Sequence, residues 1–277
     1  MHPSADILDI ISTRKASGEP FAVATVVRTV AATAAKAGAK AVILPDGTIS
    51  EGWIGGGCAR AAVVKAAKEV LADGMPRLVS VQPPDVLQEQ GVAIGTDIGG
   101  VRFAKNMCPS QGTMDVFVEP VLPRPELIVC GASPVAVAVA ALGQKLGFAV
   151  TVCAPAAEHH AFGACDRRID GYALPADNAG ARYIIVSTQG RGDEAALQAA
   201  LSVEADYVGF VGSMKKAAAL KDALAARGVD RARLAGLRSP AGLDLGAITP
   251  DEIAVSIMAE IVALRRRGQP RGEAAPA

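Results

Sequence analysis

Glu51-Gly52-Trp53-Ile54-Gly55-Gly56-Gly57-Cys58-Ala59-Arg60 decides how the first half of this chain is read. Three consecutive glycines let a backbone approach a ligand closely and adopt φ > 0 without strain. An Ala/Val-rich run from Ala61 to Leu71 follows at once. A helix beginning at such a junction directs unpaired N–H groups and the positive end of its dipole at whatever binds, so Gly55, Gly56 and Gly57 are candidate anion ligands through their backbone. Cys58 falls at the helix start, where negative charge is favoured, and one segment thus offers both a phosphate cradle and a reactive sulfur. Spacing puts Val63, Val64, Ala67, Val70 and Leu71 in a buried stripe, with Lys65, Lys68 and Glu69 toward solvent. By the same spacing Arg60 joins the stripe and calls for an anionic partner, either an acidic side chain or a bound ligand. An ordinary tight turn around a small core cysteine would use the same residues.

Working outward, Ala39–Leu44 and Thr48–Ile54 flank Pro45-Asp46-Gly47, a turn triplet, and are expected to form a hairpin that runs straight into the glycines. Phe21–Val30 reads as a strand and Asp6–Ser17 as a short helix capped by Ser4. Arg77–Val81 and Met114–Val118 read as further strands. Between them lies the glycine-rich stretch Gly91–Thr113, whose Cys108-Pro109-Ser110 portion is expected to be a loop facing a ligand, with Cys108 a second candidate thiol.

Pro120, Pro123 and Pro125 mark a boundary. The expected division is an N-terminal α/β domain over 1–122, a Rossmann-like domain with a mostly parallel sheet over 126–268, and a tail over 269–277. Beyond the prolines strands and helices alternate: Leu127–Cys130, Ser133–Leu146, Phe148–Cys153, Tyr183–Ser187, Glu194–Leu201, Tyr207–Val211 and Met214–Arg227. A last helix starts at Thr249-Pro250-Asp251-Glu252 and runs to Arg265. Gly131-Ala132-Ser133-Pro134-Val135-Ala136 stands where a dinucleotide fingerprint belongs, with serine in place of its second glycine. The following strand ends Cys153-Ala154-Pro155, without the acidic residue that holds a ribose, so NAD(P) is disfavoured. Gly131, Ser133, Thr188, Gln189, Gly212 and Ser213 remain candidate phosphate ligands, since their loops leave the carboxyl ends of strands. Cys130 and Cys153 lie on strands and are expected in the core, while His159 and His160 are expected to be a solvated loop pair.

Composition limits the partners. Lys plus Arg and Asp plus Glu both total 28, so no overall charge excess argues for nucleic acid or a membrane surface, and any anion binding must be local. Aromatic residues are 4%, which leaves few rings for base stacking. No run approaches the ~18 apolar residues of a membrane span, and the start lacks a charged n-region and an apolar h-region, so a cytoplasmic protein is expected. Five widely spaced cysteines without a C-x-x-C pair disfavour a disulfide framework or structural zinc. The apolar content of 51% is compatible with homo-oligomerisation.

Trp53–Cys58, Asp115–Pro120, the Gly131 turn, Tyr207–Ser213 and Gly242–Ile253 occur in an order that resembles the XdhC/CoxI/CoxF family from about Phe21 to Arg265. The resemblance implies an accessory chaperone, more a carrier than an enzyme. It would bind the molybdenum cofactor (molybdopterin or its cytosine dinucleotide), assist its maturation and insert it into an apo molybdenum hydroxylase such as xanthine dehydrogenase or carbon monoxide dehydrogenase. A cysteine desulfurase or a cofactor-biosynthesis enzyme is implied as a further partner. The family's Gly-Gly-Cys cysteine falls on Cys58, as cofactor or metal ligand. Cys108-Pro109-Ser110 and Gly131-Ala132-Ser133-Pro134 look most like the carbon monoxide dehydrogenase branch. Where family members commonly carry Val-Glu after the cysteine, this chain has Ala59-Arg60, so Arg60 and Lys36 are expected to take over part of the phosphate binding. Two rival readings are a nicotinamide-dependent oxidoreductase using the second domain and a thiol or persulfide-transfer enzyme using Cys58.

Overall fold

The computed structural model describes residues 7–109, 111–176 and 180–266; the expected Ser4 cap, Ser110 and the 269–277 tail lie outside them. The chain divides into two compact units, Met1–Pro123 and Arg124–Ala277.

The first unit contains α1 (Ile7–Ser17), β1 (Phe21–Val30), β2 (Lys40–Ile43), β3 (Ile49–Gly52), α2 (Gly57–Asp73), β4 (Arg77–Gln82), α3 (Pro84–Glu89), β5 (Asp97–Ile98), β6 (Val101–Lys105) and β7 (Thr113–Val121). The strands form one mixed sheet in the order β3-β2-β1-β7-β4-β6-β5, in which β4 and β6 are parallel and the other neighbours antiparallel. Alternation along β1 sorts its side chains. Ala22, Ala24 and Val26 pack under α2 with Val79, Val116 and Val118, while Phe21 and Val23 pack with Ile7 and Ile11 of α1 on the opposite face.

The α2 stripe differs from the expected one. Val63, Ala66, Ala67 and Val70 are buried with Ala59 and Ala62 packed against the same cluster, whereas Val64 and Leu71 are half-buried, so the inward face is turned toward the alanines. Arg60 is exposed and makes no ion pair among the described residues, against the expectation that it joins the stripe. Burying an unpaired guanidinium would cost more than its aliphatic stem could return. The stretch Gly91–Thr113 also holds more structure than expected. Gly99 and Gly100, with φ of +58° and +79°, turn β5 into β6, and Arg102 of β6 is anchored by Asp97 at 2.7 Å and by Glu69 of α2.

The second unit contains β8 (Glu126–Cys130), α4 (Pro134–Lys145), β9 (Ala149–Ala154), β10 (Arg167–Asp170), β11 (Arg182–Val186), α5 (Asp193–Ser202), β12 (Tyr207–Phe210), α6 (Met214–Ala226), α7 (Arg231–Gly236) and α8 (Pro250–Arg265). Its five strands are all parallel in the order β10-β9-β8-β11-β12. Leu127 and Val129 face α4 and α8; Ile128 and Cys130 face α5 and α6. Both faces are thus covered, as a parallel sheet requires, and the unit is Rossmann-like. Cys130 and Cys153 are fully buried register partners across β8 and β9, as expected of core residues, and their contact and burial hold the Cys130 thiol well above its usual pKa. Short β10 and α7 escape the periodicity reading. The histidines sit on a 3-10 turn, Ala156–Ala161, rather than in a solvated loop: His160 is exposed, but the His159 ring is half-buried with Nε2 at 2.8 Å from the Ala154 carbonyl oxygen. α8 starts as expected, with a reciprocal Thr249–Glu252 capping box and Pro250 in its first turn.

Among the described residues Arg182 is the largest fully buried side chain, and its Nε donates to Glu126 Oε2 at 2.7 Å directly across the β8–β11 register. Removing the carboxylate breaks this buried ion pair, which costs about 3–5 kcal/mol, while the guanidinium keeps its Nη1 bond to the Pro175 carbonyl at 2.9 Å. Glu126→Ala is therefore expected to lower the unfolding free energy of the second unit by that amount in urea titration. The double variant Glu126→Leu/Arg182→Met is expected to recover most of it.

Candidate functional site

The hairpin β2–β3 delivers the chain into the glycine loop. The Trp53 N–H still donates to the Lys40 carbonyl at 3.0 Å, Ile54 is fully buried, and Gly55 then turns with φ +101°, a conformation that side chains rarely adopt. Gly56 is the N-cap of α2 and brings no side chain; no acidic residue stands in the first turn. The N–H groups at the start of a 17-residue helix are left without a side-chain cap.

Cys58 follows in that first turn, half-buried, and its Sγ accepts the Met107 N–H at 3.4 Å. The loop carrying Cys108 is therefore brought against Cys58, two stretches 49 residues apart in sequence. Asn106, absent from the candidates read from sequence, organises this loop. Its Oδ1 accepts the Cys108 N–H at 3.0 Å, its Nδ2 donates to the Gly112 carbonyl at 2.7 Å, and its own N–H donates to the Gln82 carbonyl at 2.6 Å. The signal for it is Asn106-Met107-Cys108, since an asparagine two residues before a turn amide is the Asx-turn pattern. Ala32 bridges to Gln111, so the loop after β1 joins the other two. Together they enclose a cavity of about 60 Å³, lined by Thr33, Gly55, Gly56, Asn106, Cys108 and Met114 among others. Ala31, Gln111 and Gln189 are the described non-glycine residues with positive φ, at +60°, +47° and +51°; the first two are chain neighbours of the lining residues Ala32 and Gly112, and the third lies on a candidate loop of the second unit.

In the second unit the chain runs outward from β8 to β10 and returns to β11, so the strand order reverses between β8 and β11. Here Gly131 has φ +100°, and a Cβ on it would stand 2.5 Å from the Ser187 carbonyl oxygen; the close approach of β11's exit requires the glycine. Ser133 Oγ accepts the Ala136 N–H at 3.0 Å and lies 2.6 Å from Ser187 Oγ. Thr188 Oγ1 donates to Asp193, which also accepts from Gly190 N–H at 3.2 Å and pairs with Lys216 Nζ at 2.5 Å. Ser213 Oγ caps α6 at Lys216 N–H, and Gly212 packs against the Phe210 ring. Gln189 is exposed. The polar groups of this crevice largely satisfy one another. A cavity of about 650 Å³ is lined by Gly212 itself together with Met214, Leu243, Leu245 and Ser256, and one of about 300 Å³ lies beside Tyr207 and Arg233. No group of three or more metal-ligating side chains occurs among the described residues, and no helix among them is long and apolar enough to cross a membrane.

Residues 15–82 match the family described as XdhC and CoxI, and residues 127–261 match the XdhC Rossmann domain. The chain belongs to the XdhC and CoxI family. It is 28% identical over 261 residues to the uncharacterized protein YqeB of Escherichia coli K12, covering 89% of this chain and 44% of that one. It is 29% identical over 167 residues to a probable xanthine dehydrogenase subunit of Bacillus subtilis, covering 56% of this chain and 47% of that one. This XdhC-family chain thus spans less than half the length of the curated relatives it matches. A crystal structure described as a xanthine dehydrogenase from Bacillus halodurans aligns over 96% of this chain and 97% of its own at 20% identity, with a TM-score of 0.45.

Asp193 ties the crevice together electrostatically. Burial pushes its carboxyl up, but bonds from Lys216, Thr188 and the Gly190 N–H outweigh that and leave it below the ordinary aspartate value of 3.8. A depressed carboxyl stabilises the fold above its unfolded value and loses that contribution as pH falls through the folded one. Lys216→Met removes the principal lowering partner. The acid unfolding midpoint of the second unit, followed by circular dichroism, is expected to move to higher pH in that variant.

Proposed function

We propose that this chain is a maturation factor for a molybdenum hydroxylase of the xanthine dehydrogenase type, holding the molybdenum cofactor and handing it to the apo-enzyme. The single observation that carries the reading is the uncapped start of α2 with Cys58 in its first turn, in a chain of the XdhC and CoxI family. Phosphate suits unsatisfied helix N–H groups and needs no overall positive charge. Arg60 and Lys36 are exposed, and neither has an ion-pair partner among the described residues, so both are available to a ligand. The donor set fits the phosphate end of the cofactor. A cavity of about 60 Å³ is far below the several hundred Å³ of an enclosing cofactor site, so this loop cluster does not swallow the whole group. A carrier gains from that, since cargo bound at one end can leave.

Residues 57–60 would hold the phosphate through backbone N–H groups, Cys58 would supply one soft ligand, and Arg60 and Lys36 would neutralise charge at the rim. When bound, the cofactor supplies the metal dithiolene that the client enzyme uses. Within the reading, we assign the cargo as molybdopterin cytosine dinucleotide and the client to the carbon monoxide dehydrogenase branch, on the Cys108-Pro109 and Gly131-Ala132-Ser133-Pro134 segments.

The test is anaerobic purification from a host that makes molybdopterin, with the pterin quantified on wild type, Cys58→Ser and Arg60→Glu. Wild type is expected to carry it. Cys58→Ser is expected to retain about tenfold less, a loss of about 1.4 kcal/mol, and Arg60→Glu several-fold less. Wild type without pterin, or Cys58→Ser with the wild-type amount, would refute the reading.

A further inference from the structure

Two thiols stand where the loops of the first unit converge. Cys58 is half-buried in the first turn of α2, and Cys108 is exposed on the loop after β6. The Met107 N–H that donates to Cys58 Sγ at 3.4 Å belongs to the residue next to Cys108. Backbone dimensions put the Cys108 Cα no more than about 5 Å from that nitrogen, hence within about 8 Å of the Cys58 sulfur. The Cα-to-Sγ reach within Cys58 adds about 3 Å, which bounds the two Cα atoms at about 11 Å; a disulfide needs them about 4.4–6.8 Å apart, so closure asks at most several ångströms of an exposed loop. Asn106 Oδ1 accepts the Cys108 backbone N–H at 3.0 Å, which restrains the backbone at that thiol.

The other cysteines are placed differently. Cys130 and Cys153 are register neighbours but fully buried, beyond the reach of an oxidant. Cys165, in the second unit, takes a hydrogen bond from Arg168 Nε at 3.2 Å. Proximity and access to solvent coincide at Cys58 and Cys108.

We infer that Cys58 and Cys108 form a peroxide-sensitive dithiol, whose oxidation to a disulfide ties the Cys108 loop to the start of α2 and closes the small cavity between them. The Cys58 thiolate attacks one oxygen of hydrogen peroxide. The O–O bond breaks, hydroxide leaves and takes up a proton, and Cys58 becomes a sulfenic acid. The Cys108 sulfur then displaces the sulfenic oxygen, which departs as water carrying the thiol proton. Peroxide is reduced to two waters while the two thiols lose two electrons and two protons, and a dithiol reductant reverses the bond. The bond itself is independent of what the cavity holds; its consequence for cargo rests on the function proposed above.

The experiment treats the full chain with one equivalent of hydrogen peroxide, alkylates the remaining thiols and maps peptides without reduction. A linked Cys58–Cys108 peptide is expected in wild type, lost on adding dithiothreitol and absent from Cys58→Ser and Cys108→Ser. In Cys108→Ser the reaction should stop at a trappable sulfenic acid on Cys58. Asn106→Ala should still form that acid but cross-link several-fold more slowly. No linked peptide in wild type, or thiol loss mapping to other cysteines, overturns the inference even if pterin is retained. On protein that carries pterin when reduced, oxidation should lower retention several-fold and dithiothreitol restore it. A linked peptide with unchanged retention would overturn the closure.

Discussion

One hydrogen bond, from the Met107 amide to the sulfur of Cys58, joins the two stretches on which the first unit's candidate site depends. Neither stretch could supply a site alone. The glycine loop offers donors with no wall opposite them, and the Cys108 loop offers that wall, with its Met107 and Cys108 amides already engaged. Their meeting follows from sheet order: β7 lies between β1 and β4, and β6 lies beyond β4, so the exits of β1, β4 and β6 and the entry to β7 share one end of the sheet. The glycine loop reaches the same end because β3 hands the chain directly to α2.

Much of this is legible in the residues. The Pro45-Asp46-Gly47 hairpin, the helix after the glycines and the alternating second half follow from turn chemistry and periodicity, which are local properties. The capping box at Thr249 is legible for the same reason. What escapes such reading is non-local or short. β6 has five residues and is recognisable only by its pairing with β4, and the four-residue β10 only by its pairing with β9. Spacing places Arg60 in the buried stripe with Val64, Ala67 and Leu71, but the small Ala59, Ala62 and Ala66 pack against the core in its place, and the desolvation cost of a guanidinium argues the same way.

The candidate site is legible in its parts and not in its assembly. Cys58 and Cys108 each stand out by their neighbours, but nothing in the sequence says that 49 residues of chain return one to the other. Asn106 does not stand out because its work is done through backbone groups, where a single residue fixes three amide or carbonyl positions. In the second unit the opposite holds: the residues expected to face phosphate are found at the expected strand ends, with their hydroxyls and charges already engaged with one another.

That engagement has a thermodynamic meaning. A crevice that leaves donors and acceptors open is completed by its nucleotide, and its fold weakens whenever the nucleotide departs. The Ser133–Ser187 and Thr188–Asp193–Lys216 contacts give this parallel sheet a finished end of its own. The second unit therefore holds its fold with no nucleotide needed to finish this end of the sheet.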